Sequence, residues 1–288
     1  MTSIVLRAAA FAARALPPGM SRVLYRLGPL TRWIRRLLNR AAPQGIAPVA
    51  IAGGDLAGVQ LLLDLQVDKD LWLGTYEPEV TRAARLFVHP GMTAYDLGAN
   101  IGYVTMLLAK AVGETGRVVA VEPLPANLDR LLAAVQLNRM EHVIRVVPKA
   151  VGAVGGSARF LVHRSPGMGR LEAGGGGGSG FESAIDIEVV SLDDLVHGQG
   201  FPPPDVIKID LEGGEVEALQ GMKRILREAR PVLLIETHGQ AEARGVWDLL
   251  SAAGYSLRDL DHNSRVVAAA EDVPAKGHLL ATAQGGRE

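Results

Sequence analysis

Between residues 93 and 283 the chain alternates short apolar, β-branched runs with longer segments whose apolar residues recur every three or four positions. The short runs match buried strands, and the longer spacing is typical of helices with one face in a core. In the first half of this region the pattern predicts alternating strands and helices at 93–98, 103–112, 117–122, 125–138 and 143–151. Such alternation predicts an α/β fold in which a mostly parallel sheet is covered by helices on both faces.

The second half continues this pattern after an irregular insertion. Two predicted strands, 157–163 and 185–190, flank a run of glycines at 174–178. The run has no side chains to pack, so we expect a mobile loop there. Further strands are predicted at 205–211, 231–236, 255–260 and 278–283, and helices at 215–229 and 246–253.

The most informative turn joins the predicted strand 93–98 to the following helix. Gly98 and Gly102 bracket this turn, and glycines there let the backbone approach a ligand while the helix start offers free N–H groups. Glu122 ends the next strand, where a carboxylate can accept hydrogen bonds from both hydroxyls of a ribose. These features together predict a nucleoside-binding site.

The charge of Asp96, just before this turn, distinguishes between nucleoside cofactors. A carboxylate at that position would repel the pyrophosphate of NAD, and this turn lacks the Gly-x-Gly-x-x-Gly pattern of dinucleotide-binding turns. The same carboxylate suits a ligand that carries an ammonium group and a sulfonium. The turn therefore predicts S-adenosylmethionine as the cofactor.

A second group of ionisable residues follows the predicted strand 205–211. With a period of two, Lys208 and Asp210 lie on the same face as neighbours, so we expect Lys208 to be the counter-ion of Asp210. Asp210 and Glu212 lie at the carboxyl end of this strand, where open α/β sheets bind ligands. The next strand ends in Glu236 and His238, so several ionisable groups converge on one rim.

The roles of these rim residues leave alternatives open. His238 is a candidate general base, with a plain surface histidine as the alternative. Glu215 either complements the dipole of the following helix or takes part in the chemistry. Asp210, Glu236 and His238 could together hold a divalent metal, but their spacing matches no tight ligand motif, so we assign no metal.

Composition limits the function classes and divides the chain. The 288 residues, 48% of them hydrophobic, suffice for one large domain with an N-terminal extension. The absence of cysteine excludes disulfides, thiol nucleophiles and Cys-ligated zinc. We predict a basic amphipathic extension over 1–48, of which 43–48 is a linker. A lead-in region over 49–92 follows, with strands near 49–67 and a helix at 81–87. The α/β domain covers 93–288.

The near-neutral net charge of −1 conceals two oppositely charged parts. The first 54 residues contain eight arginines and no acidic residue, so the rest of the chain must carry −9. This basic segment could contact an anionic membrane or acceptor, or form helices that pack on the acidic domain. The acidic domain argues against a nucleic-acid substrate. No apolar run is long and charge-free enough to span a bilayer, so we expect a cytoplasmic protein, with peripheral membrane contact as the alternative.

Several ordered motifs give the chain a family resemblance. They are LGTYEPE (73–79), YDLGANIG (95–102), VEPLPANLDRL (121–131), SLDDL (191–195), DVIKIDLEGGE (205–215) and RPVLLIETH (230–238). With these motifs the chain resembles the FkbM family of methyltransferases. The resemblance implies a class I Rossmann-like methyltransferase sheet of seven strands, mostly parallel with the last strand antiparallel. It also implies that the cofactor S-adenosylmethionine is bound by Asp96, Gly98, Asn100, Gly102 and Glu122.

The sequence therefore predicts an S-adenosylmethionine-dependent methyltransferase. By resemblance, its acceptor is a hydroxyl of a sugar, a glycan or a secondary metabolite. The sulfonium methyl is already activated, so the protein must mainly place the acceptor and take its proton. The candidate catalytic residues are His238, Asp210 and Glu212, in that order. The alternative is a non-catalytic binding protein of the same fold that uses its basic N-terminus to engage a membrane or an anionic polymer. The oligomeric state is left open.

Overall fold

The structure, a computed structural model, describes residues 11, 40–163, 169–171 and 181–285. The strands are β1 (Ile46–Ala50), β2 (Gln60–Asp64), β3 (Thr93–Leu97), β4 (Arg117–Val121), β5 (Ile144–Val147), β6 (Ala150–Val151), β7 (Gly156–His163), β8 (Gly169–Leu171), β9 (Phe181–Val190), β10 (Val206–Ile209), β11 (Val232–His238), β12 (Tyr255–Asp259), β13 (Arg265–Val267) and β14 (Lys276–Ala283). The α-helices are α1 (Lys69–Leu73), α2 (Pro78–Phe87), α3 (Tyr103–Val112), α4 (Pro125–Leu137), α5 (Glu215–Gln220), α6 (Lys223–Glu228) and α7 (Gln240–Ala252). A π-helical turn lies at Asp194–Gly198 and a 3-10 turn at Ala270–Asp272.

The main sheet has the strand order β13-β12-β14-β11-β10-β3-β4-β5. Strands β11, β10, β3, β4 and β5 pair in parallel, whereas β14 runs antiparallel between β11 and β12. This confirms the mostly parallel α/β sheet and its antiparallel last strand. The sheet differs from the prediction in having eight strands instead of seven, because β13 folds back antiparallel on β12 and extends that edge.

A separate four-stranded sheet, in the order β6-β9-β7-β8, contains the insertion between the two halves of the domain. The predicted continuous strand 143–151 is wrong, because it is split into β5 in the main sheet and β6 in the small one. Pro148 lies at the break, where its missing N–H interrupts strand pairing. The glycine run at 174–178 lies outside the described residues.

Several predicted elements differ in extent from the structure. The helix predicted at 246–253 is α7, which begins at Gln240, and the strand predicted at 185–190 is β9, which begins at Phe181. The prediction of a single helix at 215–229 is wrong, because this segment forms two short helices, α5 and α6. The Asp193 carboxylate accepts the backbone N–H groups of Arg224 and Ile225 and so caps the start of α6. The helix predicted at 81–87 begins earlier, at Pro78, which suits the first turn of a helix. The linker predicted to end at 48 instead includes the start of β1 at Ile46.

Two hydrophobic cores lie against the sheet. One contains Val80 of α2, Met106 of α3 and Leu131 of α4, together with Ile51 and Leu56 of the predicted lead-in region 49–92. The other contains the buried apolar residues of α5, α6 and α7. Helices therefore cover both faces of the parallel sheet, as predicted.

The predicted basic extension, residues 1–48, falls mostly outside the described part of the chain, so its helices and membrane contact stay predictions. Among the helices that the structure describes, none combines the length and the apolar character needed to cross a bilayer.

Gly98 allows β3 and β10 to meet closely at their carboxyl ends. Its φ is +79°, and a Cβ built on it would lie 1.9 Å from the backbone oxygen of Asp210. Glycine alone tolerates both this left-handed backbone and this contact with a neighbouring main chain. The turn after β3 and the loop after β10 are thereby held against each other.

We predict that Gly98→Ala destabilises the protein by about 1–3 kcal/mol more than a matched control, because a rigid backbone contact must be relieved. Gly254→Ala is the control, since Gly254 has a similar φ of +76° but nothing within 4 Å of an added Cβ. Its cost should be the conformational strain alone, about 1–2 kcal/mol. Denaturant unfolding followed by circular dichroism measures both, and equal losses would show that the close approach is unimportant.

Candidate functional site

A cleft opens at the carboxyl ends of β3, β4 and β10. Its wall includes Gly98 and Asn100 from the turn after β3, and Glu122 from the end of β4. Asp210 and Glu212, from the loop after β10, line the same cleft. The structure therefore brings three of the predicted cofactor residues together with two of the predicted catalytic residues.

Glu122 organises the side of this cleft formed by the turn after β3 and the loop after β4. Its Oε2 accepts the backbone N–H of Asn100 at 2.8 Å, and its Oε1 accepts the backbone N–H of Leu124 at 2.9 Å and the side-chain amide of Asn127 at 3.2 Å. Burial raises the pKa of Glu122, and these hydrogen bonds oppose that rise. The carboxylate thus clamps the turn after β3 to the loop after β4.

The turn between β3 and α3 depends on close packing. The N–H groups of Gly98 and Ala99 both donate to the Val121 carbonyl oxygen. Gly102 precedes α3 with a φ of +95°, and a Cβ there would lie 2.8 Å from Leu131 Cδ1. Gly102 does not line the cleft. It permits α3 and α4 to pack together behind the cleft.

Asp96 lies behind the cleft wall instead of lining it. Its side chain is fully buried, its Oδ2 accepts a hydrogen bond from Thr105 Oγ1 at 2.6 Å, and its Oδ1 is 3.8 Å from Lys208 Nζ. Burial raises the pKa of Asp96, against the charge of Lys208 and the hydrogen bond from Thr105. The negative charge of Asp96 therefore faces Lys208.

Lys208 is the buried cation of the central strand. Its Nζ donates to Asp210 Oδ2 at 3.0 Å, which confirms the counter-ion prediction made from the period of two. Burial alone would lower the pKa of Lys208, but the charges of Asp210, Glu77 and Asp96 raise it well above its ordinary value. Lys208 is therefore a fixed positive charge that joins β3 to β10.

His238 lies at the centre of an acidic rim formed by Asp210, Glu212, Glu215 and Glu236. Its Nδ1 is 3.0 Å from Glu215 Oε1. Its Nε2 is 3.5 Å from Asp210 Oδ1, 3.6 Å from Glu236 Oε1 and 3.7 Å from Glu212 Oε2. The predicted convergence of ionisable groups is therefore confirmed.

The charges of the rim set the protonation state of His238. Burial alone would lower the pKa of His238, but the hydrogen bond to Glu215 and the neighbouring carboxylates outweigh burial and raise the pKa to about 9. The imidazole of the free protein is thus protonated at neutral pH. In that state it cannot accept a proton, which weakens the prediction that His238 is the general base.

Glu212 differs from its neighbours because it lines the cleft and remains partly exposed. The pKa of Glu212 is raised, mainly by burial and also by the charge of Asp210. The charge of His238 opposes this rise. Asp210 behaves in the opposite way, since Lys208 and His238 overcome its burial and lower its pKa. Glu212 also has a φ of +53°, so the loop holds this side chain in a strained backbone conformation.

Sequence reasoning missed several residues near the site. Lys149 and Phe160 line the cleft, and Lys149 forms an ion pair with Glu188 at 2.8 Å. The position of Lys149 after β5 was a usable signal, because ligands bind at strand carboxyl ends. Phe160 comes from the small sheet and carried no signal. Glu77, in the segment before α2, contributes a charge next to Lys208, and burial raises its pKa.

Comparison with known proteins supports the family resemblance. A profile described as the Methyltransferase FkbM domain matches residues 96–257. A curated relative, the hexuronic acid methyltransferase AglP of Haloferax volcanii, is 32% identical over 163 residues, which are 56% of this chain and 62% of the relative. The matched region therefore spans less than two thirds of that relative.

Two solved structures share parts of the architecture. The FkbM methyltransferase from Methylobacillus flagellatus KT is 19% identical with a TM-score of 0.44, over 75% of this chain and 54% of that chain. The SAM-dependent O-methyltransferase from Thermotoga maritima is 13% identical with a TM-score of 0.45, over 74% of this chain and 67% of that chain. At these TM-scores the likeness carries no argument of its own.

The profile match begins at Asp96 and contains Glu122, Asp210, Glu212 and His238, which are the residues that form the cleft and its rim. It covers more than half of the chain. The protein therefore belongs to the FkbM methyltransferase family.

Proposed function

We propose that this protein is an S-adenosylmethionine-dependent methyltransferase that methylates a hydroxyl oxygen of a sugar, a glycan or a related small molecule. The observation that carries the proposal is that Glu122 and Glu212 line one cleft. One side of that cleft has the groups that suit a nucleoside, and the other side has carboxylates that suit a proton transfer.

The cofactor side has the chemistry that an adenosyl group requires. A carboxylate has about four acceptor positions, and Asn100, Leu124 and Asn127 occupy three of those on Glu122, so Oε2 keeps one for a ribose hydroxyl. Gly98 and Asn100 bring the backbone to the cleft, and the apolar Val151 and Phe160 form the wall on which a base can pack. S-adenosylmethionine bound there would supply an activated methyl group.

Asp96 and Gly102 contribute to cofactor binding from behind the cleft in this proposal. Asp96 holds Thr105 in the first turn of α3 and faces Lys208, so it supports the turn that contains Gly98 and Asn100. Gly102 lets α3 pack against α4. Neither residue needs to contact the cofactor in order to affect its affinity.

We assign the proton acceptor to Glu212, ahead of Asp210 and His238. A carboxylate with a raised pKa binds a proton more readily at neutral pH than one with a lowered pKa, and Glu212 faces the cleft. Asp210 is already paired with Lys208. His238 then positions the carboxylates of the rim. The wall of the cleft must also exclude water and align the acceptor oxygen, which can account for much of the rate.

The acceptor class rests on the curated relative, a hexuronic acid methyltransferase that is 32% identical over the matched region. A sugar acceptor suits a rim of carboxylates, because carboxylates accept hydrogen bonds from several hydroxyls at once. We propose a carbohydrate hydroxyl as the methylated group. A consumption assay with S-adenosylmethionine over a panel of sugars and uronic acids tests this choice.

The cofactor prediction is that S-adenosylhomocysteine binds the full-length protein and raises its melting temperature, while NAD does neither. Glu122→Ala should weaken binding by about 10–150-fold, since a hydrogen bond to a charged group is worth about 1.5–3 kcal/mol. Glu141→Ala, in the exposed turn before β5, is the control and should bind normally. Calorimetry measures all three proteins. Unchanged affinity in a folded Glu122→Ala protein would contradict the placement of the ribose.

The catalytic prediction is that Glu212→Gln lowers turnover by about 10²–10⁴-fold, the usual cost of losing a general base. Affinity for S-adenosylhomocysteine should stay within a few-fold of the wild type, because Glu122 and the turn after β3 are unchanged. Glu271→Gln, at an exposed position in the 3-10 turn, is the matched control and should keep full turnover. Steady-state kinetics with the best acceptor of the panel measures the turnover of both variants. Wild-type turnover in Glu212→Gln would show that Glu212 is not the general base.

A further inference from the structure

The space in front of His238 Nε2 is surrounded by three carboxylate oxygens at nearly equal distances. Asp210 Oδ1, Glu236 Oε1 and Glu212 Oε2 lie 3.5, 3.6 and 3.7 Å from this nitrogen. Hydrogen bonds between nitrogen and oxygen are usually about 2.7–3.2 Å long, so none of these three oxygens is hydrogen-bonded to Nε2. Asp210, Glu236 and His238 each offer one ligand atom, and the three atoms lie within 4.8 Å of one another.

The distances of 3.5 and 3.6 Å from His238 Nε2 to Asp210 Oδ1 and Glu236 Oε1 match those between ligands of one ion. Bonds of about 2.0–2.2 Å from a tetrahedral metal to nitrogen and carboxylate oxygen place neighbouring ligand atoms about 3.3–3.6 Å apart. The two ligand-bearing strands, β10 and β11, are adjacent and parallel, so their carboxyl ends present Asp210, Glu236 and His238 to the same point. The backbone thus sets this separation.

Glu215 supplies an independent observation. Its side chain is fully buried, and its Oε2 has no hydrogen-bond partner among the described residues. Its Oε1 lies 3.0 Å from His238 Nδ1 and also accepts the backbone N–H groups of Leu211 and Gly213. A metal would have to displace the proton of Nε2, because only a neutral imidazole can ligate. Glu215 would then hold Nδ1–H and leave the lone pair of Nε2 for the metal, which is the arrangement found behind histidines that bind metals. A buried carboxylate with a free oxygen also leaves negative charge that a cation would balance.

From this geometry we infer that Asp210, Glu236 and His238 bind a divalent cation, with Glu215 as the residue that orients His238. A ligand set of two carboxylates and one imidazole suits Mn²⁺ or Zn²⁺ better than Mg²⁺ or Ca²⁺, which prefer oxygen ligands throughout. This replaces the earlier assignment of no metal, which rested on sequence spacing alone. The ligands come from two strands, so no compact motif could have marked them.

The chemical role of the ion rests on the proposed function. An acceptor hydroxyl coordinated to the ion has a lowered pKa. Its O–H bond breaks as the proton passes to the carboxylate of Glu212, which adjoins the same centre, and the electron pair stays on the acceptor oxygen. The ion would also hold a second oxygen of a sugar and so orient it. Binding of the ion itself does not depend on this role.

The test uses the full-length protein freed of metal by a chelator and dialysis. Mn²⁺ and Zn²⁺ are titrated separately by calorimetry, with Ca²⁺ as the comparison ion. We expect the wild type to bind one ion per chain. The dissociation constant should rise at least about tenfold in Glu236→Gln and His238→Gln, and about 10–100-fold in Glu215→Gln. Glu141→Gln is the matched control and should bind as the wild type does. Near-UV circular dichroism checks that each variant is folded.

Pulsed electron paramagnetic resonance of the Mn²⁺-bound wild type provides a second readout that needs no variant. Coupling to a histidine nitrogen is expected, and it should be lost in His238→Gln. The inference is overturned if the wild type binds neither Mn²⁺ nor Zn²⁺, or if bound Mn²⁺ shows no coupling to nitrogen. Unchanged affinity for the ion in Glu236→Gln would also overturn it. Calorimetry with S-adenosylhomocysteine on the metal-free protein separates the two proposals. If S-adenosylhomocysteine binds but no ion does, the proposed function stands and the ion site is wrong. If an ion binds but S-adenosylhomocysteine does not, the ion site stands and the proposed function is wrong.

Discussion

The buried ammonium group of Lys208 is the interaction on which the site depends. It lies in the central strand β10, where side chains are otherwise apolar, and its charge is balanced by Asp210 at 3.0 Å and by Asp96 at 3.8 Å. Removing one partner of a buried ion pair leaves an unpaired charge that typically costs about 3–5 kcal/mol. The ends of β3 and β10 are therefore held in one register by charge as well as by the contact between Gly98 and Asp210.

This pairing separates the two halves of the cleft by function. Asp96 faces Lys208 and accepts a hydrogen bond from Thr105, so in the proposed function contact with the cofactor falls to Glu122 and the backbone of the turn. Asp210 is paired with Lys208 through Oδ2, and its Oδ1 faces His238. Of the three candidates Glu212, Asp210 and His238, Glu212 is the carboxylate that lines the cleft and has a raised pKa, which makes it the one best placed to accept a proton.

Much of this arrangement could be predicted from local patterns, because the strands and helices of the main sheet follow the apolar periodicity. The pairing of Lys208 with Asp210 follows from the period of two within one strand. What local patterns could not express depends on contacts between distant segments. Asp193 divides the helix after β10 by capping α6 from outside it, and Asp96 is closed off from the cleft by its neighbours. The protonation of His238 results from Glu215 at the start of α5 together with Asp210 and Glu212 in the loop after β10, a sum that sequence spacing does not express.

A crystal structure of the full-length protein with S-adenosylhomocysteine tests the central claim most directly. The claim is that one cleft, bounded by Glu122 and Glu212, holds the cofactor beside the proton acceptor. The account predicts ligand density in that cleft, with the ribose hydroxyls against Glu122 and the sulfur on the side of Glu212. Density elsewhere on the protein, or a sulfur that faces away from the acidic rim, would contradict it.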